Sequence, residues 1–572
     1  MSESANRRIG DLVCAAAAVF VVLVCARPAS LWEFDEVLFA HAVQHYDPIA
    51  HHPPPPGYPV FMFTAKIVRL FTPSDFAALV TVSVIASTIG FILLALAFAR
   101  MTDRATGIIG ALIFYLCPAM LVHSTLALSE PGAIALLAAS LFFAPASPAL
   151  FGAFAALSIG WRPQMCFFVL PLLVAHVFPV KDSRPRQSKT LAAFTVVCLL
   201  WLVPLAASVG GIDRLVHYET AQAQYVAEHD AAVSRTAWRP AAIAIQFLSH
   251  AWGPRIMALP LFLAAAAGAW KLRRSRAVLP LVIAGAVYIA IALAIMDPAD
   301  GVRYSIPFLL VVALLAAAGL SAFTDRFGFV VTRYETAILF AIGSIMYVSS
   351  FIAQRASTLS PPVAAAMAIP HNAAVGYEMA LWPHATYVLR DQPVERIDAA
   401  VQRLFDTPKV PLYAYVDGFS DVQGARRYVW ENSDAYWNLT RNLYRIVSIA
   451  PLGRDRRFKT IRGVHLLERE QAAESWRWLA DDAAITAPNA TGIHLLLVLP
   501  RSSPYAENRV TMLADDRVAG SVVLQRGKPQ RIVIRFPQRA SIVQFKAERA
   551  FTPARDRRRL SFALLDLRFD LR

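Results

Sequence analysis

The sequence predicts a polytopic α-helical membrane protein of about 11 spans, followed by an α/β region and a β-sandwich of jelly-roll-like pattern. Three observations predict it. Of the 572 residues, 57% are hydrophobic and only 17% charged, against about 45–50% and about 25% in soluble domains. The excess is uneven: apolar runs fill 11–355, whereas 370–572 has soluble composition. Basic residues also gather in alternate loops between those runs, as topology requires of a membrane chain.

A bilayer core needs about 20 apolar residues per helix, fewer where helices are short or partly buried. Runs of that kind lie near 11–27, 75–99, 106–123, 131–146, 148–160, 164–180, 190–209, 254–270, 277–296, 304–322 and 336–353. The stretch 57–72 is apolar but carries Lys66 and Arg69, so it reads as an interfacial helix. Along an eleven-span path, Arg7/Arg8, Arg100/Arg104, Lys181/Arg184/Arg186/Lys189, Lys271/Arg273/Arg274/Arg276 and Arg326/Arg333 all fall on one side. The positive-inside rule makes that side cytoplasmic. Loops 28–74 and 210–253, the turns 124–130 and 297–303, and the C-terminal region then face outward, in a bacterium across the inner membrane. The net charge of +15 is absorbed by this pattern, and a nucleic-acid partner is excluded. Cys14, Cys25, Cys117, Cys166 and Cys198 all lie in or beside apolar runs, which excludes a disulfide framework or thiolate metal site.

The chemistry sits in the outer loops. Glu33, Asp35 and Glu36 crowd four positions at the end of the first span. A carboxylate there can act as a general base while its neighbours orient a substrate or a metal; a solvated helix start is the bland alternative. Pro53–Pro56 predicts an extended polyproline arm carrying His51 and His52. Those histidines suit a phosphate, a divalent metal or a plain loop, and the metal question stays open. Glu130 opens an outer turn, Arg162 interrupts apolar sequence where charge is costly, and Arg303 follows Asp297 and Asp300 at an outer boundary.

Together these pieces resemble the GT-C glycosyltransferases. The nearest likeness is to the protein-mannosyltransferase and lipid A aminoarabinose-transferase type. The family's modified DxD motif is matched by Glu33-Phe34-Asp35 and by Asp35-Glu36. Ser129-Glu130-Pro131, Arg162-Pro163 and Arg303-Tyr304 with Pro307 match further, weaker pieces, and the likeness covers roughly 10–355. No second DxD is present. The resemblance implies an enzyme moving a sugar from a polyprenyl-phosphate donor to a glycan, lipid or protein acceptor. Asp35 would be the base, Glu36 its assistant, and Glu33, His52, Glu130, Arg162, Arg303 and Tyr304 would bind substrate. A polysaccharide polymerase or ligase and a transporter or flippase are the rival readings. The first is disfavoured by an acidic motif so early in the chain, the second by the lack of an internal repeat.

The C-terminal part divides in two. After the 1–355 membrane domain, 356–475 mixes short apolar runs with a helical stretch near 394–405, an α/β pattern. Residues 476–572 alternate apolar and polar positions between turn residues, which argues a β-sandwich. Trp476 and Trp478 suit either sugar stacking or its core.

Overall fold

The computed structural model describes residues 3–177, 184–229, 231, 240–327, 333–407, 409–417, 425–430, 434–440, 444–468, 476–553 and 556–572. It separates into two compact units, Met1–Leu359 with Glu431–Leu443, and Ser360–Trp430 with Tyr444–Arg572. The expected border at 475/476 falls at 469–475, outside the described residues, as does Lys181 of the basic loops.

The first unit is helical throughout. Its elements are α1 (Glu3–Cys25), α2 (Phe34–Gln44), α3 (Pro59–Arg69), α4 (Asp75–Met101), α5 (Arg104–Tyr115), α6 (Pro118–His123), α7 (Glu130–Phe143) and α8 (Pro148–Trp161). There follow α9 (Cys166–Val177), α10 (Arg184–Ser208), α11 (Ile212–His229), α12 (Pro240–Leu248), α13 (Arg255–Leu272), α14 (Leu279–Ile295), α15 (Gly301–Phe327) and α16 (Arg333–Ser357). Each apolar run of the sequence falls on one of these helices except 106–123, which divides between α5 and α6. Among the described residues five segments are long and apolar enough to cross a membrane: Asp75–Met101, Arg186–Ser208, Arg255–Leu272, Pro298–Phe323 and Tyr334–Met367. The other apolar helices have 10–17 residues.

Small residues set how closely the helices approach. On α13 and α15, Gly268 and Gly319 face each other's backbones: a Cβ on Gly268 would stand 1.8 Å from the Leu315 carbonyl oxygen, and one on Gly319 1.8 Å from that of Ala264. Local sequence explains the helix ends. Ser74 caps α4 by accepting the Ala77 N–H at 3.1 Å, and Asp103 caps α5 by accepting that of Thr106 at 3.1 Å. Helix α3 buries Phe61, Met62 and Ala65 and leaves Phe63 and Ile67 exposed, a two-sided surface.

The stretch before α3 turns back where an extended arm was expected. Asp47 and His52 pair as an antiparallel bridge, the Asp47 carboxylate accepts the N–H groups of Ile49 and Ala50, and the Gly57 N–H donates to the Pro54 carbonyl. Gly57, at φ 95°, supplies the left-handed conformation that this reversal needs.

In the second unit, β1 (Ala374–Tyr377), β2 (Val394–Arg396), β3 (Leu412–Asp417), β4 (Arg426–Val429) and β5 (Ile446–Pro451) form a sheet in the order β2-β1-β3-β5-β4. Pairs β1–β2 and β1–β3 are parallel, the others antiparallel. The helix Ile397–Arg403 lays Ile397, Ala400 and Val401 on Ala374, Leu412 and Val416, an α/β packing. The strands β6 (Thr460–Glu468), β7 (Trp476–Val498), β8 (Glu507–Ala514), β9 (Arg517–Gln525), β10 (Gln530–Ala547) and β11 (Phe562–Asp570) form the second sheet. Strand β7 bends so far that Leu564 of β11 lies opposite both Arg477 and Leu497, near its two ends. The sheet thereby wraps around Leu479, Ile485, Ile493, Leu497, Phe545 and Phe562. All six strands join one sheet, where a jelly roll has eight strands in two. Trp478 is buried beside Leu560 and Ala563, and Trp476 packs against that cluster, so both tryptophans belong to the packing.

Candidate functional site

Charge converges at one place from five elements of the helical unit: the first turn of α2, the start of α7, the residue after α8, the start of α15 and the last turns of α16. The acidic motif divides by depth. Glu36 is wholly buried. Its Oε2 accepts the backbone N–H groups of Trp32 and Glu33 at 2.7 Å each, and its Oε1 accepts that of Ala127 at 2.5 Å. As the third residue of α2, Glu36 thus closes a capping box and ties α2 to the turn before α7. Burial still holds its carboxyl above the usual range, against the pull of those three donors.

Asp35 points elsewhere. Its side chain keeps 26% of its surface exposed, and its Oδ2 accepts Arg303 Nη1 at 2.6 Å. Arg303 is buried and joins three carboxylates: its Nε donates to Glu130 Oε1, and its Nη1 reaches Asp300 Oδ2 at 3.3 Å besides Asp35. Its Nη2 has no partner among the described residues. Glu130 Oε1 also accepts Arg162 Nη1 at 2.5 Å, and that nitrogen donates to Ser129 Oγ at 3.0 Å. The Arg162 guanidinium stands 5.9 Å from the centroid of the Tyr304 ring. Glu130 Oε2 is buried with no partner among the described residues. Buried charges of this kind persist only when paired, and here two guanidiniums hold one carboxylate between them.

Glu33 is half-buried beside this network. Removal from water, reinforced by the charges of Asp300 and Glu36, pushes its carboxyl up to about 8, with Arg303 pulling the other way. Near neutral pH Glu33 is therefore protonated. The cluster then carries three carboxylates (Asp35, Glu130, Asp300) and two guanidiniums (Arg162, Arg303).

The expected site residues thus meet, with one exception. Glu33, Asp35, Glu130, Arg162, Arg303 and Tyr304 share the network. Glu36 supports it from beneath. His52 is drawn aside: its ring stacks on His41 with centroids 4.3 Å apart and planes 7° from parallel. It is His51 that lies within the field of Asp35; burial lowers the His51 imidazole and Asp35 opposes that shift. Two further residues emerge. Asp300 was legible as a carboxylate three positions before Arg303. Arg355, near the end of α16, is buried and donates from Nη2 to Thr125 Oγ1 at 2.6 Å and to the Ala26 carbonyl at 3.3 Å. Its only sequence signal was a charge at the edge of the last apolar run. Among the described residues no group of three or more His, Cys, Asp or Glu side chains is arranged to hold a metal ion.

No family model matches the sequence, and no curated protein matches it. Solved structures do. ArnT from Cupriavidus metallidurans in the apo state is 12% identical with a TM-score of 0.49, over 78% of this chain and 98% of that one. The same protein bound to undecaprenyl phosphate is 14% identical with a TM-score of 0.49, over 77% and 97%. The apo oligosaccharyltransferase of Archaeoglobus fulgidus is 11% identical with a TM-score of 0.48, over 98% and 97%.

Proposed function

We propose that the chain is an integral-membrane glycosyltransferase that moves a sugar from a polyprenyl-phosphate donor to an acceptor hydroxyl outside the cytoplasm. One observation carries the reading. Of the three clustered carboxylates at the end of α1, Asp35 alone is both partly open and fixed by an arginine that a buried carboxylate anchors from behind.

Asp35 Oδ1, with no partner among the described residues, takes the proton of the acceptor hydroxyl. The acceptor oxygen forms a bond to the anomeric carbon as the bond from that carbon to the phosphate oxygen breaks, with inversion. The leaving lipid phosphate gains charge, and the free Nη2 of Arg303 is the donor available to it. Glu130 and Arg162 hold Arg303 in place, and Tyr304 lies where a sugar would meet Arg162. Protonated Glu33 adds no negative charge to a pocket that must accept a phosphate. Glu36 positions Asp35 through the first turn of α2. In this reading the eleven apolar runs cross a bacterial inner membrane, and the α/β region and the wrapped β-sheet that follow lie outside it. Donor sugar, acceptor and any divalent metal are left to assay.

The test is Asp35→Asn in the purified chain, assayed for sugar transfer at saturating donor. A positioned base contributes about 10²- to 10⁴-fold in rate, so turnover falls by that order with the thermal melt unchanged. Wild-type turnover in this variant removes Asp35 as the base.

A further inference from the structure

A second cluster of arginines lies at the opposite end of the helical unit, and nothing in the proposed transfer uses it. The C-terminal ends of α4, α7 and α9 and the N-terminal ends of α8, α10 and α14 enclose a cavity of about 240 Å³. Helix α7 runs from Glu130 at the candidate active site to Phe143 at this cavity, about 20 Å at 1.5 Å per residue. Arg100, Arg186 and Arg276 line it with His176, and among the described residues its lining includes no carboxylate. Leu141, Phe151, Leu172 and Leu281 form its apolar wall.

Part of this charge has a structural use. Arg100 Nη1 donates to the Phe142 carbonyl, with its guanidinium carbon 3.7 Å from the centroid of the Phe142 ring. Arg186 Nη2 donates to the Ala144 carbonyl at 2.5 Å. Both thereby cap the negative end of α7. Capping occupies one nitrogen of each guanidinium, Arg186 Nη2 also reaching the Pro145 carbonyl at 3.5 Å, and leaves the other N–H donors. Arg276 makes no hydrogen bond or ion pair among the described residues, so three positive charges meet around one cavity with no carboxylate among its described lining residues.

We propose that this cavity binds the phosphodiester headgroup of an anionic phospholipid, with the acyl chains continuing along its apolar wall. The argument is the pairing of the two surfaces. Arginine forks match phosphate oxygens, and three of them at the ends of apolar helices stand at the depth where headgroups lie. A free anion would use the arginines and leave the apolar wall unused; an amphiphile uses both. The cavity is also smaller than the roughly 300–1,000 Å³ that encloses a whole small ligand, which suits a headgroup whose tails stay in the bilayer.

Native mass spectrometry of the full chain in detergent tests this, with phosphatidylglycerol and phosphatidylcholine of identical chains offered in turn. Phosphatidylglycerol should be retained preferentially. Arg276→Gln should weaken that retention about tenfold, the worth of one charge-assisted contact, and Arg276→Lys should recover most of it. Arg276 is exposed, and a matched melt verifies that the variants fold. Equal retention of the two lipids overturns the proposal, as does full retention by Arg276→Gln. Displacement of phosphatidylglycerol by millimolar inorganic phosphate would show that the cavity takes the free anion and would overturn the lipid assignment.

Discussion

Glu130 in the helical unit and Asp482 in the β-rich unit are both acidic side chains held by arginine, and they do different work. Glu130 is 2% exposed and shared by Arg303 and Arg162, which are 7% and 3% exposed. Asp482 meets Arg462 with two good hydrogen bonds, at 2.9 and 3.0 Å, yet the two side chains are 54% and 45% exposed. Hydrogen-bond geometry is at least as regular in the second pair. What separates them is the water each has given up. In water the attraction of an ion pair is screened and offset by the entropy of holding two long side chains. Out of water, losing one partner strands the other. Depth, more than distance, identifies which ion pairs the molecule depends on.

The largest consequence of that contrast falls on Glu130→Gln. It leaves Arg303 and Arg162 buried with their shared counter-charge gone, so unfolding stability should drop by about 3–5 kcal/mol, measured by denaturant titration in detergent. A drop no larger than that of a surface variant would break the comparison. Glu36→Gln comes next. Gln offers one acceptor oxygen where the carboxylate offers two, and its NH₂ must face backbone N–H donors. The cost is about 1–3 kcal/mol, with turnover at saturating donor falling only as far as Asp35 is displaced.

Glu33 sharpens the comparison by pH. Its carboxyl is pushed up to about 8 from its ordinary value near 4.5, so between those values the folded state binds more protons than the unfolded one. Stability from this group is present below about 4.5 and is lost as pH rises through about 8. Thermal midpoints of the wild type should therefore slope downward over that window, and Glu33→Gln should flatten the slope. An unchanged slope would mean that Glu33 is solvated. The smallest effect belongs to Arg462→Ala, which should leave the melt of the β-rich unit within experimental error at physiological salt.

The sequence carried the helical unit well, because an apolar run long enough for a bilayer has few other uses. It carried the site in part. Asp35, Glu130, Arg162 and Arg303 were visible because each is a charge at the edge of an apolar run, and such charges need partners. Which charge meets which was not visible: Asp35 and Arg303 are 268 positions apart, and only the folded chain brings the first turn of α2 to the start of α15. Glu36 looked like a twin of Asp35, since adjacent residues at a helix start share composition. The helix turns by about 100° between them, which sends one carboxylate outward and the other into backbone donors. The stacking of His52 on His41 was not visible for a similar reason, because the reversal at 47–57 depends on Gly57 and on Asp47 accepting two N–H groups, and a run of prolines alone does not reveal it.

The glycines at 268 and 319 bear on how this chain's lineage could have changed. Each fills the position that the other's helix backbone occupies, with a would-be Cβ only 1.8 Å from a carbonyl oxygen on either side. A first substitution to alanine at one position cannot be rescued by a later one at the other, because the obstacle is backbone and glycine is already the smallest residue. The two helices would have to part along their length, and α15 carries Arg303 at its head. Descendants are therefore held to this pair by a barrier that no single compensating replacement lowers. Variation enters more readily through the loops at the bundle's end, where side chains can be exchanged one at a time.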